Sequence, residues 1–331
     1  MKIERLKQTL GDQMLVLIIV LLCVLGAVFT DSFLTPYNIK ILLYSMTVYG
    51  FLSLGQSMVM LVSELNLTQG SLICFAPTFG MFLTQKIMKL LGRNILVGGN
   101  YIVDGLVLYM ILTLLTGMAI GFLMGCVIVR FNVSSLVVTL GMMYTLGGLV
   151  FFQFSGYSLY FNRLEGANWL GTAEFLEIPV SVLLLAFVSG ALILLMKYTK
   201  MGRYIYATGG NERAAIYAGV STKKWKIIAF TISGTLASIS GLIFSSRVES
   251  IDPVQGVGYQ MFALAIAVVG GVSMEGGRGT LVGTLLATTI VALVFNVMSL
   301  FKLYSWYQTM FIGAIIVIAA IQQAANRKSL V

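Results

Sequence analysis

Residues 106–129 read LVLYMILTLLTGMAIGFLMGCVIV, twenty-four residues without one charged side chain. At 1.5 Å of rise per residue, about 20 such residues in a helix cross the hydrocarbon core of a bilayer. In water the run would need a polar chain to wrap it, and there is little to spare. Of the 331 residues, 58% are hydrophobic and 10% charged, against roughly 25% charged in a soluble domain. The mean hydropathy is +0.95. Lipid is therefore the solvent for most of the surface.

Working outward, comparable runs occupy 14–30, 39–62, 71–88, 133–154, 179–196, 227–246, 259–273, 280–301 and 304–322. The pattern predicts an all-α polytopic integral membrane protein, one transmembrane domain over 1–331 with about ten transmembrane helices. The N-terminal run has a basic start and an apolar core but no small-residue cleavage site, so it is expected to be a retained first span. Lys2, Arg5 and Lys7 place the N-terminus in the cytoplasm by the positive-inside rule. Alternation then puts 155–178 outside, with Glu165, Glu174 and Glu177 against Arg163. It puts 197–226 inside, where Lys197, Lys200, Arg203, Arg213, Lys223, Lys224 and Lys226 oppose only Glu212. The C-terminus, with Arg327 and Lys328, falls inside too. The 89–105 loop fits least well, being expected outside despite Lys89 and Arg93.

The net charge of +9 follows from this loop asymmetry and is no sign of a nucleic-acid partner. There is no histidine, which removes the usual proton shuttle and the commonest metal ligand. Cys23, Cys74 and Cys126 sit singly in apolar runs and read as buried free thiols. No GxxxxGK[ST] sequence occurs, so this chain does not hold ATP in the P-loop manner. Neither clustered acids nor a nucleophile–base pair is visible, which speaks against a membrane-embedded enzyme.

Two segments interrupt the membrane pattern. One is Ser63-Glu64-Leu65-Asn66-Leu67-Thr68-Gln69-Gly70-Ser71 and the other is 270–279, GGVSMEGGRG. Irregular backbone at membrane depth survives only where protein or a water-filled cavity covers it. Such breaks in each half of a chain line the route in many transporters, and they also serve as tight interhelical turns. For the first break both readings stand; the glycine content of the second favours packing or a turn. Glu64 is a functional carboxylate if it lies in hydrocarbon and a hydrated one if it lies at the interface.

The third unusual stretch is the polar island 211–226, NERAAIYAGVSTKKWK. Asn211 suits an N-cap and Glu212 the positive end of a helix dipole. Ala214, Ala215 and Ala218 are expected to form one narrow, close-packing exposed ridge.

On these residues the chain resembles the permease subunits of ABC importers. Glu212, Ala214, Ala215 and Gly219 are similar to the EAA-type loop that docks on the ATPase. Gly202 through Glu212, GRYIYATGGNE, resembles the GR-x-I-Y-A-x-GGN-x-x-A signature of the branch that imports ribose, xylose, galactose and similar sugars. Gly258-Tyr259, Val269-Gly270-Gly271, Ser273, Gly276-Gly277, Gly279 and Val282-Gly283-Thr284 continue the pattern. In the first break Leu65, Leu67, Gly70 and Ser71 match the family's GGIDLSVGS. The likeness runs from about residue 40 to the C-terminus. The chain departs from it where acids are usual: Asn66, Gln260 and Phe262 are neutral. Either the cargo is less polar or differently decorated than ribose, or a non-identical partner subunit keeps the acids.

The resemblance implies a bacterial inner-membrane permease that moves a monosaccharide or sugar-like molecule by alternating access. Its implied partners are a separate ATPase carrying ATP and Mg, an extracellular or periplasmic binding protein, and a second permease copy or paralogue. No cofactor is implied for this chain. Coupling would fall to Asn211, Glu212, Arg213, Ala214, Ala215 and Gly219, supported by Lys223 and Lys224, within a cytoplasmic loop of about 197–226. Glu64, Asn66, Gln69, Tyr259 and Gln260 are the candidates for the substrate path. The alternative is an ion-coupled secondary transporter, which needs a charge relay within the spans.

Overall fold

A computed structural model describes residues 2–92, 102–154, 159–160 and 169–328. Arg93, Arg163 and Glu165 lie outside the described residues. In chain order the elements are α1 Lys2–Phe29, α2 Pro36–Met60, α3 Gln69–Leu90, α4 Ile102–Phe131, α5 Ser135–Phe154, β1 Leu159–Tyr160, α6 Trp169–Thr172, β2 Glu174–Phe175 and β3 Ile178–Pro179. There follow α7 Val180–Tyr198, α8 Lys200–Gly210, α9 Glu212–Tyr217, α10 Thr222–Val248, β4 Ser250–Ile251, α11 Tyr259–Val269, α12 Leu281–Leu300 and α13 Ser305–Lys328.

Every apolar run falls on a helix, and among the described residues the fold is all-α apart from two short antiparallel strand pairs, β1 with β4 and β2 with β3. Among the described residues five helices are long and apolar enough to cross a membrane: Gly105–Phe131, Ser135–Gln153, Val180–Tyr198, Thr222–Val248 and Leu281–Leu300. The run 259–273 is a correction. Its helix, α11, stops at Val269 because the backbone turns at Gly270 and Gly271, the latter at φ +82°. Those 11 residues reach about 16 Å, roughly half the hydrocarbon thickness.

Burial sorts the helices. α2 lies at the centre: from Phe51 to Leu61 its residues are buried on every face, polar ones included. α1 and α5 expose Leu17, Val28, Val137 and Phe152, apolar side chains suited to lipid. α10 packs along both α4 and α2. Its seam with α4 carries Gly117, Gly121 and Gly125, one per turn. A Cβ on Gly121 would lie 2.4 Å from the Phe230 carbonyl oxygen, and one on Gly117 as close to that of Gly234. This is the small-residue spacing by which membrane helices bring their backbones together.

Polar pairs hold α2 to α12: Ser53 to Thr288 at 3.0 Å, Ser57 to Thr284 at 2.8 Å, and Asn38 to Asn296 through both amides. In a membrane such bonds contribute about 0.6 kcal/mol each on average. They join the first and last thirds of the chain along α2.

Candidate functional site

The polar island folds into α9, held between two built ends. Asn211 has extended backbone, ends α8 and caps α9 by accepting from the Ala214 amide at 3.0 Å. Glu212 occupies the first turn. At the other end the Val220 amide donates to the Ala215 carbonyl and the Gly219 amide to Ile216, both at 2.9 Å, with Gly219 at φ +77°. That is a Schellman cap, and its left-handed residue is the glycine. Lys223 and Lys224 stand exposed at the start of α10.

The surface of α9 differs from the expected alanine ridge. Ala215 is turned inward at 5% exposure, while Ile216 and Tyr217 face out at 55% and 91%. A helix of six residues has too few turns for its own sequence to fix its phase. The chain on either side sets it, and here it presents a larger apolar knob flanked by Arg213 and Ala218.

Behind α9 the two breaks meet each other and α8. α2 ends in a Schellman cap of its own, with the Glu64 amide on the Val59 carbonyl and Ser63 at φ +62°. A left-handed serine costs of order 1–2 kcal/mol. Its hydroxyl is shared between the carbonyls of Gly209 at 2.9 Å and Glu275 at 2.6 Å. The Gly277 amide donates to Leu61 at 3.1 Å. A Cβ on Gly209 would stand 1.9 Å from the Leu61 oxygen, and one on Gly277 2.4 Å from Gly210 Cα. The Tyr206 hydroxyl donates to Gly279 at 2.8 Å. Burial raises that phenol above its ordinary value, so it stays protonated as a donor.

Lys226, near the start of α10, sits 2.9 Å from Glu64 Oε1 and 2.9 Å from Glu212 Oε2. The sequence pattern counted Lys226 only among the loop cations, and it puts Glu64 with the substrate path. In the structure Glu64 is joined through Lys226 to Glu212 of α9.

The other path candidates have partners different from those of Glu64. Asn66 and Gln69 are fully buried and each donates to Ser233 Oγ at 2.9 Å. Asn66 Oδ1 also accepts from the Thr68 amide at 3.0 Å, an Asx turn that leads into α3. Gln260 packs against Gly70, where a Cβ would meet its Oε1 at 2.2 Å. Tyr259 joins Tyr49, Phe262 and Phe295 in a cluster with ring centroids 5.4–5.9 Å apart. Phe262, one of the neutral departures, is thus an aromatic packing residue. Tyr259 also borders a cavity of about 140 Å³ with Tyr44, Tyr49, Phe244 and Arg247. The Arg247 guanidinium lies 4.2 Å from the Tyr44 ring centre.

No cluster of metal-ligating groups occurs among the described residues. Cys23, Cys74 and Cys126 are free thiols, the second buried and hydrogen-bonded to the Gln255 carbonyl.

The family described as "Branched-chain amino acid transport system / permease component" matches residues 38–320. "Ribose import permease protein RbsC" of Escherichia coli (strain K12) is 30% identical over 318 residues, covering 95% of this chain and 94% of that protein. "D-allose transport system permease protein AlsC" of the same strain is 27% identical over 300 residues, 91% of this chain and 87% of the other. "L-arabinose ABC transporter permease protein AraH" of Azospirillum brasilense is 30% identical over 295 residues, with 88% and 80% covered. No solved structure matches.

Proposed function

Because the chain belongs to the family of branched-chain amino acid transport system permease components, multi-pass membrane subunits of transport systems and not enzymes, we propose that it carries a monosaccharide or closely related small polyol through the membrane as the permease of an ABC importer. The observation that carries the sugar reading is the run of relatives named for ribose, allose and arabinose, each matched over most of both chains. The same kinship favours an ATP-driven importer over an ion-coupled carrier.

On this reading the labour divides between separate chains. Residues 211–219, with Lys223 and Lys224 beside them, are the coupling element. Their apolar knob of Ile216 and Tyr217 seats in a cleft of a separate ATPase, which binds and hydrolyses ATP with Mg. A binding protein outside the membrane delivers cargo, and two permease copies or a pair of paralogues enclose the path. The termini and α9 lie on the cytoplasmic side of a bacterial inner membrane. Asn66, Gln69, Tyr259 and Gln260 stand at the path, and of these Asn66 and Gln260 are amides where the branch usually has acids. Amides both donate to and accept from sugar hydroxyls, so the path handles a neutral cargo without strong binding. Glu64 leaves the path group and joins the coupling element.

The test is uptake of labelled ribose, allose and arabinose into cells expressing the complete transporter. Uptake of one of these that stops on ATP depletion supports the reading. Uptake sustained by an imposed ion gradient in ATP-depleted vesicles would overturn it.

A further inference from the structure

We propose that Lys226 is a positioning residue that fastens the coupling helix to the first membrane break, so that a push on α9 moves residues 64–69. The inference rests on the coupling role assigned to α9.

Lys226 and Ser233 stand seven positions apart on α10, about two helical turns, and so share one face. Both hold the same segment. Lys226 binds Glu64 at its beginning, and Ser233 binds Asn66 and Gln69 at its end. The break is thereby clamped to α10 at two points and travels with it as one body. α9 is tied to that body through the ammonium of Lys226, whose donors reach Glu212 as well.

The two arms of this bridge differ in their access to water. The Lys226 and Glu64 side chains are 15% and 13% exposed, whereas Glu212 is 44% exposed. Screening weakens the outer arm more than the inner one. The inner arm is therefore the stronger of the two, and the contact to Glu212 sets how firmly α9 is fastened to the break. A methionine at 226 keeps the apolar stem and loses both arms, an arginine keeps both, and an alanine at 212 removes the outer arm alone.

The experiment uses membranes containing the complete transporter, with Cys23→Ala, Cys74→Ala and Cys126→Ala as background. A reporter cysteine is placed in the break by Leu65→Cys or on the knob by Tyr217→Cys, and labelling by a water-soluble maleimide is followed with and without a non-hydrolysable ATP analogue. With Lys226 present the nucleotide is expected to change the rate at 65 by roughly fivefold or more, the scale of an ordinary coupling free energy. In Lys226→Met and in Glu212→Ala the change at 65 is expected to vanish while the response at 217 persists, and Lys226→Arg is expected to restore it. Glu212→Ala guards against misfolding, since it leaves the Lys226–Glu64 pair in place. A nucleotide response at 65 that survives both substitutions overturns the proposal. So does a response at 217 with none at 65 in the unsubstituted protein, which leaves the coupling reading intact. Silence at both positions overturns the coupling reading together with the proposal.

Discussion

Asn38 and Asn296 exchange two hydrogen bonds across α2 and α12, Nδ2 to Oδ1 at 3.0 Å in one direction and 2.8 Å in the other. Both side chains are buried, and Asn38 also donates to the Phe33 carbonyl at 2.9 Å. Removing one amide strands its partner, and a stranded buried amide costs about 1–3 kcal/mol. Asn38→Leu and Asn296→Leu are each expected to lower the unfolding temperature of the detergent-solubilised protein. The double substitution is expected to recover most of the Asn296→Leu loss. A double-mutant cycle with no coupling would contradict the pairing.

Gly209 and its neighbour Gly210 make a controlled comparison. A methyl group on Gly209 would press into the Leu61 oxygen, while one on Gly210 meets nothing within 4 Å. Overpacking of this kind costs typically 1–3 kcal/mol, and backbone on both sides leaves little room to yield. Gly209→Ala is expected to reduce folded protein in the membrane and to abolish uptake. Gly210→Ala is expected to behave like the parent in both assays.

At Gly219 the constraint is conformational, since nothing crowds the position and φ is +77°. Gly219→Ala is expected to loosen α9 by about 1–2 kcal/mol and Gly219→Asn by less, because asparagine tolerates the left-handed region. Asn211→Ala removes the opposite cap at a cost of about 1 kcal/mol. Both are expected to weaken ATPase association with little change in membrane level, as read by co-purification.

Tyr217, 91% exposed, contributes almost nothing to this chain's own stability. Tyr217→Ser is expected to leave the unfolding temperature unchanged and to reduce ATPase binding by tenfold or more, the scale of a buried interface aromatic at about 2 kcal/mol. Arg213, Lys223 and Lys224 around it predict binding that weakens as salt is added.

Phe262 tests whether the missing acids belong to packing or to cargo. An aspartate there would sit against Tyr49, Tyr259 and Phe295. A charge placed inside a membrane domain costs about 3 kcal/mol. Phe262→Asp is expected to destabilise the protein by that order. A variant as stable as the parent that gains ribose uptake would mean the position serves the cargo.

Much of the architecture was legible because lipid imposes one rule on every span. The apolar runs mark helices from α1 to α13 since each must satisfy its backbone internally. The N-cap of α9 was legible for a similar reason, since Asn211 is a local device whose partner lies three residues away, whereas Gly219 was marked only by its likeness to the family loop. Lys226 was not, because its significance comes from Glu64, distant in sequence, and a lysine in a basic loop looks like any solvated charge. The Glu64 side of that pair was hidden on the same account, for only the tertiary fold says which cation a carboxylate in the break meets. The inward turn of Ala215 depends on how α8 and α10 hold a very short helix, which no periodicity within it records. The glycines of α4 carried a readable spacing, but their partner, α10, is named only by the fold.

The joint where the end of α2, the end of α8 and the 273–279 turn come together has backbone against backbone at Gly209, Gly210 and Gly277. Interdigitated side chains must change rotamer before two surfaces slip, whereas bare main chain has none to change. Such a bearing resists separation through the Ser63 hydroxyl and the Gly277 amide, yet offers little friction to sliding. Where two such surfaces shift past one another, no side chains need repacking, as leucines there would require.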